Sequence, residues 1–168
     1  VASKQQHGKE DVMMQQAIAC AVAASAALAS AAAIPPAYLD HLPPAQVSAN
    51  GIEYLTGGKS PAEADAVKRA AQEFPLELVF LERDGAKKRD LYDNPVVIRD
   101  EQGKVVFAGR TDGPYFLARL PAGHYTVSTH WDSWTFTKPV TIGPDRSRVV
   151  FEWKKLPRTN LVAEVENG

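Results

Sequence analysis

The chain has 168 residues, 45% of them hydrophobic and 23% charged, with 19 basic and 20 acidic residues and a formal net charge of −1. This balance excludes wholesale disorder and a multi-span membrane protein, and it offers no global basic surface of the kind nucleic acid demands. The length fits one domain, so a single core is expected, with leader and tail segments outside it.

From Ala17 to Ala33 the chain is nearly all alanine, broken by Ile18, Val22 and Leu28, preceded by Lys4 and Lys9, and followed by Ile34-Pro35-Pro36. That pattern is expected of a signal peptide spanning residues 1–33, cleaved after Ala33, with Ala31 offering a second register. A retained anchor fits less well, because alanine contributes little to insertion and the run is shorter than the ~20 apolar residues of a span. No stable membrane span is expected once the leader is removed. The acids Glu10 and Asp11 are unusual in a leader, and translation from Met13 or Met14 would leave them out. Cys20, the single cysteine, lies inside the leader, so the mature part carries no disulfide. Lipidation at Cys20 is disfavoured, since Ala17-Ile18-Ala19 lacks the usual leucine and the apolar run continues past it.

Residues 34–50 contain Pro35, Pro36, Pro43 and Pro44, which suggests an extended linker without regular pairing. The single domain is expected over 51–154. Ile52 to Thr56 is a short strand candidate, closed by Gly57-Gly58. Ser60-Pro61-Ala62-Glu63 has the form of a capping box, and Val67, Ala70, Ala71 and Phe74 follow at one-face helical spacing, predicting an amphipathic helix near 61–74 that Pro75 ends. Leu76 to Arg83 is apolar on both alternating faces, as in a central strand. The charged stretch from Asp84 to Asp90 carries no strand signal. Val96 to Ile98 and Lys104 to Ala108 are expected to form a hairpin across Asp100-Glu101-Gln102-Gly103. Strand candidates then follow at Tyr115 to Leu120, His124 to Trp131, Trp134 to Ile142 and Val149 to Trp153, separated by turns at Pro121-Ala122-Gly123 and Asp132-Ser133. The tail, 155–168, has no aromatic residue and is expected to be flexible.

The stretch TDGPYFLARLPAGHYTV, from Thr111 to Val127, resembles the repeat of carboxypeptidase regulatory-like domains, which are related in shape to prealbumin. Its physical sense is a turn at Asp112-Gly113, a strand pointing Phe116, Ala118 and Leu120 inward, a tight turn at Pro121, and a return strand inserting Tyr125 and Val127. The resemblance spans roughly 94–153. It implies an α+β, mainly β fold: an antiparallel prealbumin-like sandwich with one N-terminal amphipathic helix. The residues from Gly51 to Phe80 look like the segment that precedes this domain in small exported bacterial proteins of unassigned role. The resemblance also implies an accessory or adhesive module without catalysis.

Candidate chemistry is sparse. His124 and His130 share one face of a strand but lie about 20 Å apart, too far to hold one ion, and neither a metal nor any other cofactor is expected. Asp84, Asp90, Asp93 and Asn94 are rich in oxygen, yet they lack the alternation and closing glutamate of a calcium loop. His130, Asp132 and Ser133 include the residue types of a hydrolytic triad, but neighbours along one strand and turn do not easily converge. Trp131 and Trp134 flank the Asp132-Ser133 turn, where indole faces suit a sugar or a protein partner; Trp153 reads as core. The ligand-binding candidates are therefore Trp131, Trp134, Asp132 and His130. The expectation is an exported, periplasmic or secreted, non-catalytic binding or accessory module, its partner an envelope protein or glycan of unknown identity. The alternatives are a carbohydrate-binding module using Trp131 and Trp134, and a small hydrolase of the transthyretin-related type.

Overall fold

The structure, a computed structural model, describes residues 36–155, with side chains from residue 38 onward. The signal peptide, the translation start, Cys20, the cleavage site and the tail beyond Lys155 lie outside the described residues.

Ser60 starts the helix as its sequence predicts. Its hydroxyl accepts the Glu63 N–H at 3.2 Å, and the α-helix runs Pro61–Ala70 before tightening into a 3-10 turn at Ala71–Glu73. The Glu63 carboxylate reaches past Ser60 to accept the Gly58 N–H at 2.9 Å, which ties the helix to the strand before it. Ala66, Val67, Ala70, Ala71 and Phe74 are buried, so the predicted apolar face is the packed one.

Numbered along the chain, α1 is Pro36–Leu39 and α2 is Pro61–Ala70; the strands are β1 Gln46–Val47, β2 Glu53–Gly57, β3 Leu76–Asp84, β4 Lys87–Asp90, β5 Pro95–Asp100, β6 Val105–Arg110, β7 Tyr115–Ala118, β8 Gly123–Trp131, β9 Trp134–Ile142 and β10 Ser147–Lys154. They form two sheets. One has the order β1-β2-β7-β3-β10 with β4 also on β3, and the other has the order β6-β5-β8-β9. Leu76, Leu78 and Phe80 of β3 face the second sheet and meet Ile98, Phe107 and Val127 in the main core. On the opposite face of the first sheet, Leu55 and Leu117 pack against Val67, Ala70 and Phe74. β3 is buried on both faces from Leu76 to Phe80, which explains why Val79 as well as Leu78 and Phe80 is apolar, with Glu77 the exception in that stretch. The architecture is the expected mainly antiparallel sandwich with one amphipathic helix on its outside.

Four details depart from the sequence-based expectations. β10 runs parallel to β3, from Ser147 opposite Leu76 to Lys154 opposite Arg83. The Pro121 turn carries the chain from β7 in one sheet to β8 in the other, so the expected return strand faces its predecessor across the core instead of pairing with it. Phe116, Ala118, Leu120 and Val127 are nonetheless buried there, and the Tyr125 hydroxyl pins the corner by donating to the Pro121 carbonyl at 3.0 Å. The charged stretch 84–90 folds into β4, because β7 pairs with β3 only as far as Val79 and leaves Leu81 to Asp84 free for a hairpin partner. Finally, the expected linker is docked from residue 38 onward. Gln46 and Val47 pair with Tyr54 and Glu53, Leu42 packs on the helix cluster, and the Arg69 guanidinium lies 3.9 Å over the Tyr38 ring. Proline at 43 and 44 removes donors locally without preventing pairing two residues later.

Candidate functional site

Two hairpins define one end of the sandwich. The β8–β9 hairpin closes with Trp131 opposite Trp134, and Asp132 between them takes a positive φ of 53°, a conformation aspartate tolerates in tight turns. Register puts both indoles on the side of Thr129 and Phe136, the face turned toward the other sheet. Trp131 is half-buried and packs against the main core, whereas Trp134 remains 54% exposed. The β3–β4 hairpin supplies the facing wall. Arg89 on β4 is held by Glu82 of β3 at 2.7 Å, with the carboxylate sheltered and the guanidinium largely open.

The third contributor is the loop leading from β4 into β5. Leu91 is buried and its N–H donates to the Phe80 carbonyl at 3.1 Å; the Asn94 side-chain amide donates to the Leu91 carbonyl at 3.1 Å and to Thr111 Oγ1 at 3.2 Å. Asp93, at φ 56°, is gripped by Arg110, whose Nη2 donates to its carboxylate at 2.9 Å and to its carbonyl at 2.6 Å. That hydrogen bonding holds the Asp93 carboxyl below the usual carboxylate range and raises Arg110 correspondingly. The loop is therefore braced on both sides of Tyr92, which stands 43% exposed between them. Arg89, Asp90, Leu91, Tyr92 and Trp131 enclose an open pocket of about 420 Å3. Such a place offers two aromatic rings, an aliphatic wall and one guanidinium donor.

Of the residues singled out from sequence, Trp131 lines this pocket, Trp134 is its cross-strand partner, and Asp132 forms the turn between them. His130 is elsewhere: it faces the outer side of the sheet, where its Nδ1 lies 3.2 Å from Thr135 Oγ1. His124 sits on that same outer face, 3.1 Å from Thr141 Oγ1. The oxygen-rich residues do not converge either, for Asp84 binds Lys155 at 2.8 Å, Asp93 binds Arg110, and Asn94 is committed to Leu91 and Thr111. Tyr92, Arg89 and Leu91 were not singled out. The available signal was an aromatic residue flanked by Leu91 and Asp93 within a turn-rich stretch, the same stretch weighed for its oxygens.

Fold and site together define a β-sandwich domain with an external helix and an aromatic pocket at one end. No family model matches the chain, and no curated protein matches it. Among solved structures it is similar to GBS52, the minor pilin of the Gram-positive pathogen Streptococcus agalactiae, at 20% identity over 49% of this chain and 44% of the pilin, with a TM-score of 0.39. It is also similar to the Bacillus anthracis TIE protein, at 25% identity over 48% of this chain and 17% of that one, with a TM-score of 0.36. The chain thus spans less than half the length of either.

Proposed function

We propose that the domain is an exported, non-catalytic binding or accessory module of the bacterial envelope, of the carboxypeptidase regulatory-like type, which engages its partner through the Trp131 end of the sandwich. The observation that carries the proposal is the pocket itself, where Trp131 and Tyr92 converge with Arg89 and Leu91 on a wall braced by the Arg110–Asp93 grip. Aromatic side chains held rigid beside a few polar groups bind with little ordering cost, which suits recognition more than turnover. Export rests on the leader pattern, and Trp134, exposed beside the pocket, extends the surface a larger partner would meet.

The test is affinity capture from an envelope extract using the wild-type chain beside a Trp131→Ala/Trp134→Ala variant, with captured proteins and glycans read by mass spectrometry. Species retained by the wild type alone place binding at the aromatic end. Equal retention by both forms moves it elsewhere. Turnover of an ester or amide panel, abolished by changing His124 or His130, would replace the binding module with a hydrolase.

A further inference from the structure

Among the described residues, four buried side-chain polar atoms make no hydrogen bond: Glu77 Oε2, Asn94 Oδ1, Thr129 Oγ1 and Trp153 Nε1. Glu77 is compensated by charge, since Arg146 and Arg148 each approach its Oε2 at 3.3 Å. The other three gather behind the aromatic pocket. Asn94 donates to the carbonyl of Leu91, a pocket-wall residue. Thr129 is the residue two before Trp131 on the same face of β8 and lies opposite Phe136, whose ring meets Trp153 edge-on at 5.2 Å. Trp153 is the register partner of Glu82, the acid that holds Arg89. Folded domains leave few buried polar groups unpaired, so three around one pocket mark hydrogen-bonding capacity that the domain's own residues do not use.

We infer that the ligand of this end is a neutral saccharide ring, an inference that rests on the binding-module reading above. The one guanidinium at the wall, Arg89, is already paired with Glu82, so the pocket selects neither an anion nor a cation. Its volume of about 420 Å3 falls in the lower part of the roughly 300–1,000 Å3 range of small-molecule sites, room for one or two sugar rings. The indole and phenol faces carry partial negative charge and suit the slightly positive C–H face of a pyranose. A hydroxyl both donates and accepts, so it can accept from the Arg89 guanidinium at the wall. It equally matches the indole N–H of Trp153 and the oxygens of Thr129 and Asn94 behind it. Those three are buried behind the lining, so a ligand would reach them through a bridging water. A peptide would present a line of backbone N–H and C=O groups, which a strand edge matches and a pocket walled by side chains does not.

The experiment titrates the full chain with glucose, N-acetylglucosamine and their β-1,4-linked disaccharides, with glucuronate and choline as charged comparators. It is read by calorimetry, tryptophan fluorescence and amide NMR shifts. The expected result is binding of a neutral saccharide in preference to both comparators. Trp131→Ala should weaken it at least tenfold, Trp131→Phe less, and Thr129→Val severalfold with the amide spectrum otherwise retained. Tighter binding of either comparator, or no binding of any neutral saccharide, overturns the ligand class. If the wild type then still captures an envelope protein that the Trp131→Ala chain loses, the binding end stands and only the saccharide falls. Saccharide binding unchanged in Trp131→Ala overturns the site itself.

Discussion

Gly113 stands at the start of β7, where the chain passes against the end of β2. A methyl group on it would lie 2.2 Å from the Gly57 carbonyl oxygen, 2.5 Å from the Gly57 carbonyl carbon and 3.1 Å from the Gly58 nitrogen. All three are backbone atoms, so no side-chain rotation relieves the overlap, and Gly113→Ala must push β2 and β7 apart. The parts that would give are the Gly57–Tyr115 rung and the Thr56 hydroxyl, which accepts from the Asp112 N–H at 2.9 Å and donates to the Tyr115 carbonyl at 3.1 Å. Overpacking that side chains can absorb costs about 1–3 kcal/mol. Losing two or three hydrogen bonds at about 1 kcal/mol each puts this case near the top of that range or beyond, at about 3–4 kcal/mol. Gly143 is the control: nothing lies within 4 Å of an added Cβ and its backbone is not left-handed, so Gly143→Ala should leave stability unchanged or raise it by about 0.5 kcal/mol. Urea unfolding of both variants measures the difference. At about 2–4 °C per kcal/mol for a chain of this size, Gly113→Ala should also lower Tm by roughly 6–16 °C. Unfolding within about 0.5 kcal/mol of wild type would refute the close approach of β2 and β7 and the sheet order built on it.

Ser60→Ala removes the hydroxyl that accepts the Glu63 N–H and should cost about 1 kcal/mol in urea unfolding, while Ser60→Asp should not. Thr129→Val removes a buried hydroxyl without a partner and should raise stability by about 1 kcal/mol; a loss would mean that the hydroxyl is satisfied in solution. Acid should destabilise the domain through three carboxylates whose pKa is lowered in the folded state: Asp84 by its hydrogen bond from Lys155, Asp93 by that from Arg110 and Glu152 by that from Arg83. A lowered folded pKa gives stability that is complete above the ordinary carboxylate value of about 4 and is lost as pH falls through and below it. Thermal melts from pH 7 to pH 3 should fall in that window, and a flat profile would show that these pairs are not formed in solution.

Legibility followed the physics of each element. The helix was readable because Ser60 and Pro61 mark its start and Val67, Ala70, Ala71 and Phe74 share one face, and β3 because an apolar run on both faces fits only a covered strand. The strand β4 was not readable, since Lys87, Lys88, Arg89 and Asp90 are all exposed and its existence depends on the length of β3 left unpaired by β7. Alternation says which face a side chain takes but not which strand lies beside it. That is why Phe116 and Val127 were correctly placed inside while the Pro121 turn was read as a hairpin, and why the parallel pairing of β10 with β3 went unseen.

The candidate site divides along the same line. Trp131 and Trp134 were visible because two indoles around a two-residue turn are unusual locally, and register then keeps them on one face. Period two also separates His130 from Trp131, since adjacent residues on a strand point to opposite sides, so the histidine belongs to the outer face with Thr135. The rest of the pocket comes from residues about forty positions earlier, and it exists because the unpaired end of β3 recruits β4 and the loop after it is braced by Arg110 and Asn94. The feature that conceals β4 from a sequence reading is therefore the one that builds the pocket. A strand made wholly of charged residues holds its place by backbone pairing and by the Arg89–Glu82 ion pair, which keeps Arg89 on the pocket side of β4.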